Sequence, residues 1–422
     1  MIDGCLEFRF GFYKLFFDPM RGAIQELHYS DQPFLNDLYP AVRDQHWGTL
    51  SLAHVAYQIH QPRGGDLSIE WSACAVQNGL EWADLMVTIL TSEAGVEYRL
   101  RVRAVRDFST CRTGLCVHHN PSVVAGENVR VEHPDGTEST GHFPTLISPH
   151  QPFRQIQALE HSVDGARVRF EFFGEVFEME DQRNWLDFSF KTYCRPQDLP
   201  KPYALTQGEV VEQRIKISGE MSLAPLPPLP DQSRATVRVK DVSSLGLFEP
   251  SYTLWSDFDD TVEQFESALA SIVEEDPCPL IWLVGDPEDR LRVISSLGVL
   301  PLGIVIANYE QHADSLAGWR ERDPSFRFIA GSPSNFTELN RNQPSSEWDG
   351  VAFAVSPVVH QIHPYAILQT IHSWSAQVKT ARSWGFSEIH FGPVTIPSRY
   401  PMFKLLADGV VLEQTVVSRS FW

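Results

Sequence analysis

Residues 222–230 read SLAPLPPLP, and four of these nine residues are proline. Each proline fixes its own φ and removes a backbone donor, so such a run is semi-rigid and cannot enter a central strand. The chain on one side of it therefore folds separately from the chain on the other. The two sides also have different hydrophobic patterns.

Residues 1–220 read as β. Runs such as 97–105 (EYRLRVRAV), 129–132 (VRVE), 167–173 and 210–217 alternate apolar and polar residues, with Gly, Pro, Asp and Asn between them. Alternation of this kind marks half-buried strands, and helical periodicity is almost absent. Many short strands over such a length predict an N-terminal antiparallel β-sandwich at 1–220, with a proline-rich linker at 221–232.

Residues 233–422 alternate helix with strand. Helical spacing is read at 258–274, 288–297, 313–320, 336–340 and 365–384. Apolar strands are read at 245–248, 280–284, 303–308, 326–330, 350–355 and 388–391. Such βα units build a parallel sheet. About six strands fall short of the eight of a full (β/α)8 barrel, so the expectation is a TIM-barrel-like domain that is incomplete. Residues 403–422 read as strand-like rather than as another βα unit.

The formal net charge is −20. That disfavours nucleic acid and anionic membrane surfaces, which need clustered Lys and Arg. No apolar run reaches the ~18 residues of a membrane helix. The start, MIDGCLEFRFGFYKLFF, lacks a basic leader and carries Arg9 and Lys14 within its apolar run, so a cytoplasmic location is expected. The six cysteines are scattered and are expected to be free thiols. No nucleotide or α/β-hydrolase motif occurs, and no cofactor is expected. His360 and His363 have no fitting third ligand, so no metal is expected. The partner this pattern suits is a small-molecule carbohydrate.

Four clusters could carry chemistry. Residues 41–49 (AVRDQHWGT) hold Arg43, Asp44 and Trp47, read either as ligand contacts or as an ordinary surface ion pair. His150 sits between two prolines in TLISPHQPF, which would pre-position it as a base or leave it incidental to a rigid loop. Residues 174–193 (GEVFEMEDQRNWLDFSFKTY) place Glu178, Glu180, Asp181, Arg183, Trp185 and Lys191 among aromatic rings. Strand alternation would put Val176, Glu178 and Glu180 on one face and Phe177, Met179 and Asp181 on the other. Phe188 and Phe190 would face one way, with Ser189, Lys191 and Tyr193 opposite. The plainer reading is a buried structural salt-bridge network. Beyond the linker, Asn308, Asn335 and His360 follow strand ends, where βα folds bind ligands, or are ordinary loop polarity.

Several of these runs resemble the D-apionate lactonase family. They are AVRDQHWGT, GLCVHH (114–119), VEHPDG (131–136), TLISPHQPF, GEVFEMEDQRNW with FKTY, NFTELNRNQP (335–344), VAFAVSPVVH (351–360) and GPVTI (392–396). The resemblance implies a β-domain, a TIM-barrel-like domain and a C-terminal β-domain, and hydrolysis of D-apionolactone to D-apionate. The family's Gly-Thr-Asp before NFxELN stands here as Gly331-Ser332-Pro333. Its Arg-Phe-Asn-Pro stands as Arg399-Tyr400-Pro401-Met402. These departures and the chain's length make a shortened or divergent member the expectation.

For lactone opening, Glu178 or Asp181 is the candidate base, with His150 as an alternative. Arg183 or Lys191 would meet the developing negative charge. Arg43, Asp44, Trp47, Glu180, Trp185, Asn308, Asn335 and His360 are candidate substrate contacts. Two alternatives remain: a non-catalytic relative that binds sugar, and a glycoside hydrolase-like enzyme.

Overall fold

The computed structural model describes residues 4–61, 66–163, 165–220, 253–257, 260–360 and 364–394. It forms two compact units, Met1–Ser222 with His363–Ala376, and Leu223–Ile362 with Gln377–Trp422. The predicted linker at 221–232 and the predicted strands at 245–248 and 403–422 lie outside the described residues.

The first unit is built on two nine-stranded antiparallel sheets. One runs in the order Leu6–Phe10, Tyr13–Asp18, Ala23–Tyr29, Gln32–Asp44, Phe108–His119, Phe190–Cys194, Phe177–Asp181 and Phe153–Ile156, with Tyr203–Leu205 also paired to Phe108–His119. The other runs Glu138–His142, Asn128–Glu132, Ala158–Val163, Ala166–Phe173, Val210–Glu220, Gly95–Ala104, Leu80–Ser92, Ser68–Gln77 and Ser51–His60. Their inner faces share one core that includes Phe17, Leu100, Val117, Phe170, Phe190 and Ile215. Burying side chains of this size stabilises by roughly 1.5–3 kcal/mol each.

The sheets treat their outer faces differently. In Gly95–Ala104, Val96, Tyr98, Leu100 and Val102 are buried while Arg99, Arg101 and Arg103 are exposed, the alternation expected of a one-sided strand. In Phe108–His119 nearly every residue is buried, and Phe190–Cys194 is buried throughout. The outer face of the first sheet is therefore covered at its centre, and the side chains it covers are polar.

Gly174 lets the chain pass from one sheet to the other. It follows Ala166–Phe173 in the second sheet and precedes Phe177–Asp181 in the first. Its φ is +93°, and a Cβ there would run into the Glu212 carbonyl oxygen.

The second unit holds an open parallel sheet of six described strands, in sequential order: Thr253–Ser256, Leu280–Leu283, Gly303–Ile306, Phe328–Ser332, Gly350–Val355 and Ile389–Val394. This is an incomplete TIM-barrel-like sheet. Its core joins Leu280, Trp282, Val305, Ile329 and Ala352. The helices described with it are Val262–Glu275, Glu288–Ser296, Leu316–Arg322 and Phe336–Arg341, while Pro364–Ser383 is grouped up to Ala376 with the first unit and from Gln377 with the second. Val262–Glu275 starts at a capping box: Thr261 accepts from the Gln264 backbone at 3.2 Å, and the Gln264 side chain accepts from the Thr261 backbone at 2.8 Å. The helix read at 313–320 instead begins as a 3-10 helix, Tyr309–Ser315, and turns α-helical from Leu316. Among the described residues no helix is long and apolar enough to cross a membrane.

Candidate functional site

The candidate site is the covered outer face of the first sheet, and strand register builds it. Phe177–Asp181 pairs with Phe190–Cys194 so that Glu178 faces Tyr193 and Glu180 faces Lys191. Phe190–Cys194 then pairs with Phe108–His119, setting Lys191 against His118 and Tyr193 against Cys116. Beyond that strand, Asp37 lies opposite His118, Tyr39 opposite Cys116 and Arg43 opposite Arg112. Phe177, Met179 and Phe190 point into the core, so Glu178, Glu180, Lys191 and Tyr193 point outward. One polar row therefore crosses four strands. Phe188 departs from the expected alternation, because it precedes the strand, is half-buried and lies outside the core.

Glu178 is 1% exposed. Its Oε1 accepts from the Tyr193 hydroxyl at 2.7 Å and from the Gln197 backbone N–H at 2.6 Å. Glu180 accepts from Trp185 Nε1 at 3.1 Å and from Gln182 Nε2 at 2.9 Å. Burial, with Glu180 and Glu178 beside it, pushes the Tyr193 hydroxyl pKa up. Tyr193 is thus a neutral donor at ordinary pH.

Lys191 is 1% exposed and has no side-chain hydrogen bond or ion pair among the described residues. Desolvation lowers its pKa to about 8. The same burial would neutralise it further, but Cys116 and Asp187 oppose that. A lysine titrating there can serve as a cation at neutral pH and as an amine slightly above it.

Asp181 and Arg183 are not part of this row. Asp181 points to the other side of its strand and caps the 3-10 turn Gln182–Trp185. Arg183 Nε and Nη2 bind its two carboxylate oxygens at 2.8 and 2.7 Å. Arg183 also donates to the Pro144, Thr145 and Leu146 carbonyls, and Asp181 accepts from the Ser148 backbone. These bonds make the pair a clamp on the 144–148 loop. His150 sits just beyond that clamp with an exposed side chain, and its backbone carbonyl accepts from Ser148 Oγ at 2.8 Å.

Arg43 belongs to the covered face and donates to the Trp47 carbonyl at 2.9 Å. Trp47, at φ +68°, lays its ring 5.2 Å from the Arg112 guanidinium. Asp44 shapes that turn, accepting from the His46 and Gly48 backbones at 2.8 Å each, and from Gln77.

In the second unit, Asn308 donates to the Val284 carbonyl at 3.2 Å. The Asn335 N–H donates to Glu338 at 3.0 Å at the start of Phe336–Arg341. His360 is half-buried in the turn after Gly350–Val355. Ser332 ends its strand and donates to Glu338 at 2.9 Å, and the next residue, Pro333, stands where the family's carboxylate is expected.

Sequence reasoning missed Arg112, His118, Asp37 and Gln197. Arg112, His118 and Asp37 reach the face through strand pairing between segments distant in sequence, and Gln197 reaches it from the loop after Phe190–Cys194. The available sign was Arg112 itself, a charge inside the otherwise apolar and small FSTCRTGLCVHH. Among the described residues no group of three or more His, Cys, Asp and Glu could hold a metal ion.

Comparison with known proteins gives two family-model matches. D-apionate lactonase, N-terminal domain, matches residues 8–222, and D-apionate lactonase, TIM barrel domain, matches residues 299–401. The D-apionate lactonase of Brucella anthropi is 26% identical over 436 residues, covering 90% of this chain and 71% of that protein. A glycoside hydrolase family 97 enzyme from Pseudoalteromonas sp. strain K8 is 10% identical, with 92% of this chain and 66% of that chain covered and a TM-score of 0.36. A putative aldose 1-epimerase from Escherichia coli K12 is 11% identical, with 52% and 99% covered and a TM-score of 0.34. Those two scores are too low to carry weight. The family models span both the sandwich and the parallel-sheet unit, and the chain belongs to the D-apionate lactonase family.

Proposed function

We propose that the chain is a hydrolase that opens a sugar lactone, with D-apionolactone, giving D-apionate, as the substrate, and that the outer face of the first sheet is its site. The observation that carries this reading is the buried pairing of a fixed carboxylate, Glu178, with an unpaired ammonium, Lys191, on one face. The two are diagonal neighbours on adjacent strands, so their backbones lie about 7–8 Å apart.

Glu178 takes a proton from the water as its oxygen bonds to the lactone carbonyl carbon. The ammonium of Lys191 meets the resulting oxyanion, where a desolvated charge is worth most. Collapse of the tetrahedral species breaks the ring C–O bond. The Glu178 proton passes to the departing oxygen, which becomes a hydroxyl, and the new acid ionises. Trp185, Trp47 and Glu180 supply an apolar wall and an acceptor for sugar hydroxyls. In this scheme Asp181 and Arg183 hold the loop, and His150 takes no part.

The test is to incubate the purified protein with D-apionolactone and common aldonolactones and follow acid release. Opening no faster than in buffer, or an unchanged rate in Glu178→Gln, removes the reading.

A second reading, a relative that binds sugar without turnover, is favoured by Pro333 standing where the family resemblance leads one to expect a strand-end carboxylate. Calorimetry that finds sugar binding with no hydrolysis would select it.

A further inference from the structure

Three cations gather on the covered face without a carboxylate partner. Arg43 and Arg112 face each other across paired strands, and Lys191 lies on the next strand over. Among the described residues none of the three forms an ion pair. Elsewhere in the same unit arginines find carboxylates, as Arg169 does with Glu132 at 2.7 Å and Arg183 with Asp181 at 2.7 Å. The nearby carboxylates are engaged otherwise: Glu178 with Tyr193 and Gln197, Glu180 with Trp185 and Gln182.

Arg112 is the most constrained of the three. It is 4% exposed. Its guanidinium lies 4.0 Å from the Tyr193 ring and 5.2 Å from the Trp47 ring. Its Nε donates to the Cys194 carbonyl at 3.3 Å. Its Nη2 is buried and has no acceptor. A buried guanidinium nitrogen left unmet is costly, and native proteins rarely leave one without reason. The two rings hold the planar fork in a fixed orientation, which suits recognition of an equally planar, charged acceptor.

We propose that Arg112, with Arg43 and Lys191, forms a carboxylate-binding subsite, and that the ligand it takes is the open-chain sugar acid. The ligand identity rests on the reading of this face as a lactone-opening site, because ring opening there creates a carboxylate beside these cations. The carboxylate of the bound acid is planar and spreads one charge over two oxygens, which matches a guanidinium edge. Within a chain of net charge −20, a local cluster of unpaired cations also draws an anion to this face and not to the rest of the surface.

Calorimetric titration of the full chain at low salt tests this, using sodium D-apionate, the matching neutral alditol and inorganic phosphate as probes. The acid binds at least ~10-fold more tightly than the alditol, since hydrogen bonds to charged groups are the strong ones. Arg112→Gln removes that preference while leaving alditol affinity within about threefold, and Arg112→Lys restores part of it. Raising the salt weakens acid binding only.

Equal affinity for acid and alditol overturns the proposal. So does tighter binding of phosphate than of the acid, or a folded Arg112→Gln protein that keeps the preference. If Arg112→Gln fails to fold, Lys191→Met is titrated in its place, and an undiminished preference there is equally fatal. A protein that opens lactones without preferring the acid loses only this proposal. One that binds the acid through Arg112 without opening any lactone loses only the hydrolytic reading.

Discussion

Tyr193 donates its hydroxyl hydrogen to Glu178 Oε1 at 2.7 Å across the strand pair. The Gln197 backbone N–H reaches the same oxygen at 2.6 Å. Two donors therefore hold one carboxylate oxygen, and the other oxygen is left to act. Glu178→Gln keeps the shape and the accepting oxygen but loses the base. Its kcat should fall by about 10²–10⁴-fold on a lactone substrate, with the far-UV spectrum unchanged. Tyr193→Phe removes one positioning bond and should lower kcat about tenfold.

Lys191 predicts a trade between activity and stability. Its pKa in the folded protein is lowered to about 8 from 10.5. Above 10.5 the group is neutral in both states and costs nothing. As pH falls from 10.5 to about 8 the unfolded chain takes the proton first, and stability drops by about 3 kcal/mol, a loss that persists at pH 7. Lys191→Met should therefore raise the melting temperature at pH 7 and abolish lactone opening. Calorimetric melts at pH 7 and pH 10.5 check the first half, since the gain should vanish at the higher pH.

The same pKa sets an upper limit on activity. If the ammonium meets the oxyanion, kcat falls as pH rises through about 8. A rate that climbs through that region would instead make Lys191 a base. Lys191→Arg should move the limb beyond the measurable range, because a guanidinium does not deprotonate there.

Asp181 should matter to stability and not to chemistry. Its side chain is fully buried and both oxygens are met by Arg183. Asp181→Asn leaves the guanidinium buried without its counter-charge and should cost about 3–5 kcal/mol in urea unfolding. The protein that remains folded at low temperature should keep most of its kcat. A selective loss of kcat would return Asp181 to the catalytic group.

Two histidines inside the sandwich predict acid sensitivity. His119 and His161 pack 5.9 Å apart among Phe143 and Phe170. Burial holds His161 at about 4, and burial with His161 beside it holds His119 well below 6.5. Both must stay neutral in the folded state. Stability is intact above pH 6.5 and falls as pH drops from 6.5 to about 4, because the unfolded chain binds the protons first. His161→Phe should flatten the melting-temperature profile over that window.

Much of the architecture was legible in local pattern. The alternation in EYRLRVRAV reports a one-sided strand, and Gly95–Ala104 is one. The βα rhythm after the prolines reports a parallel sheet, and the strands follow in sequential order. Charges on the Glu178 and Lys191 side of their strands were also readable, since strand side chains alternate.

The placement of Asp181 and Arg183 was not readable. Alternation put Asp181 on the face opposite Glu178, but nothing local showed that it would cap the turn Gln182–Trp185 and, with Arg183, hold the 144–148 loop. Nor could the pattern of one segment show that Arg112 and Arg43 would meet Lys191 on a covered face. The sequence by itself determined the period of each segment and hence which residues share a side, because backbone geometry is local. Only the tertiary structure decided which strands lie side by side, how deeply each charge is buried, and which of those charges finds a partner. Those three are set by register and packing between segments far apart in the chain.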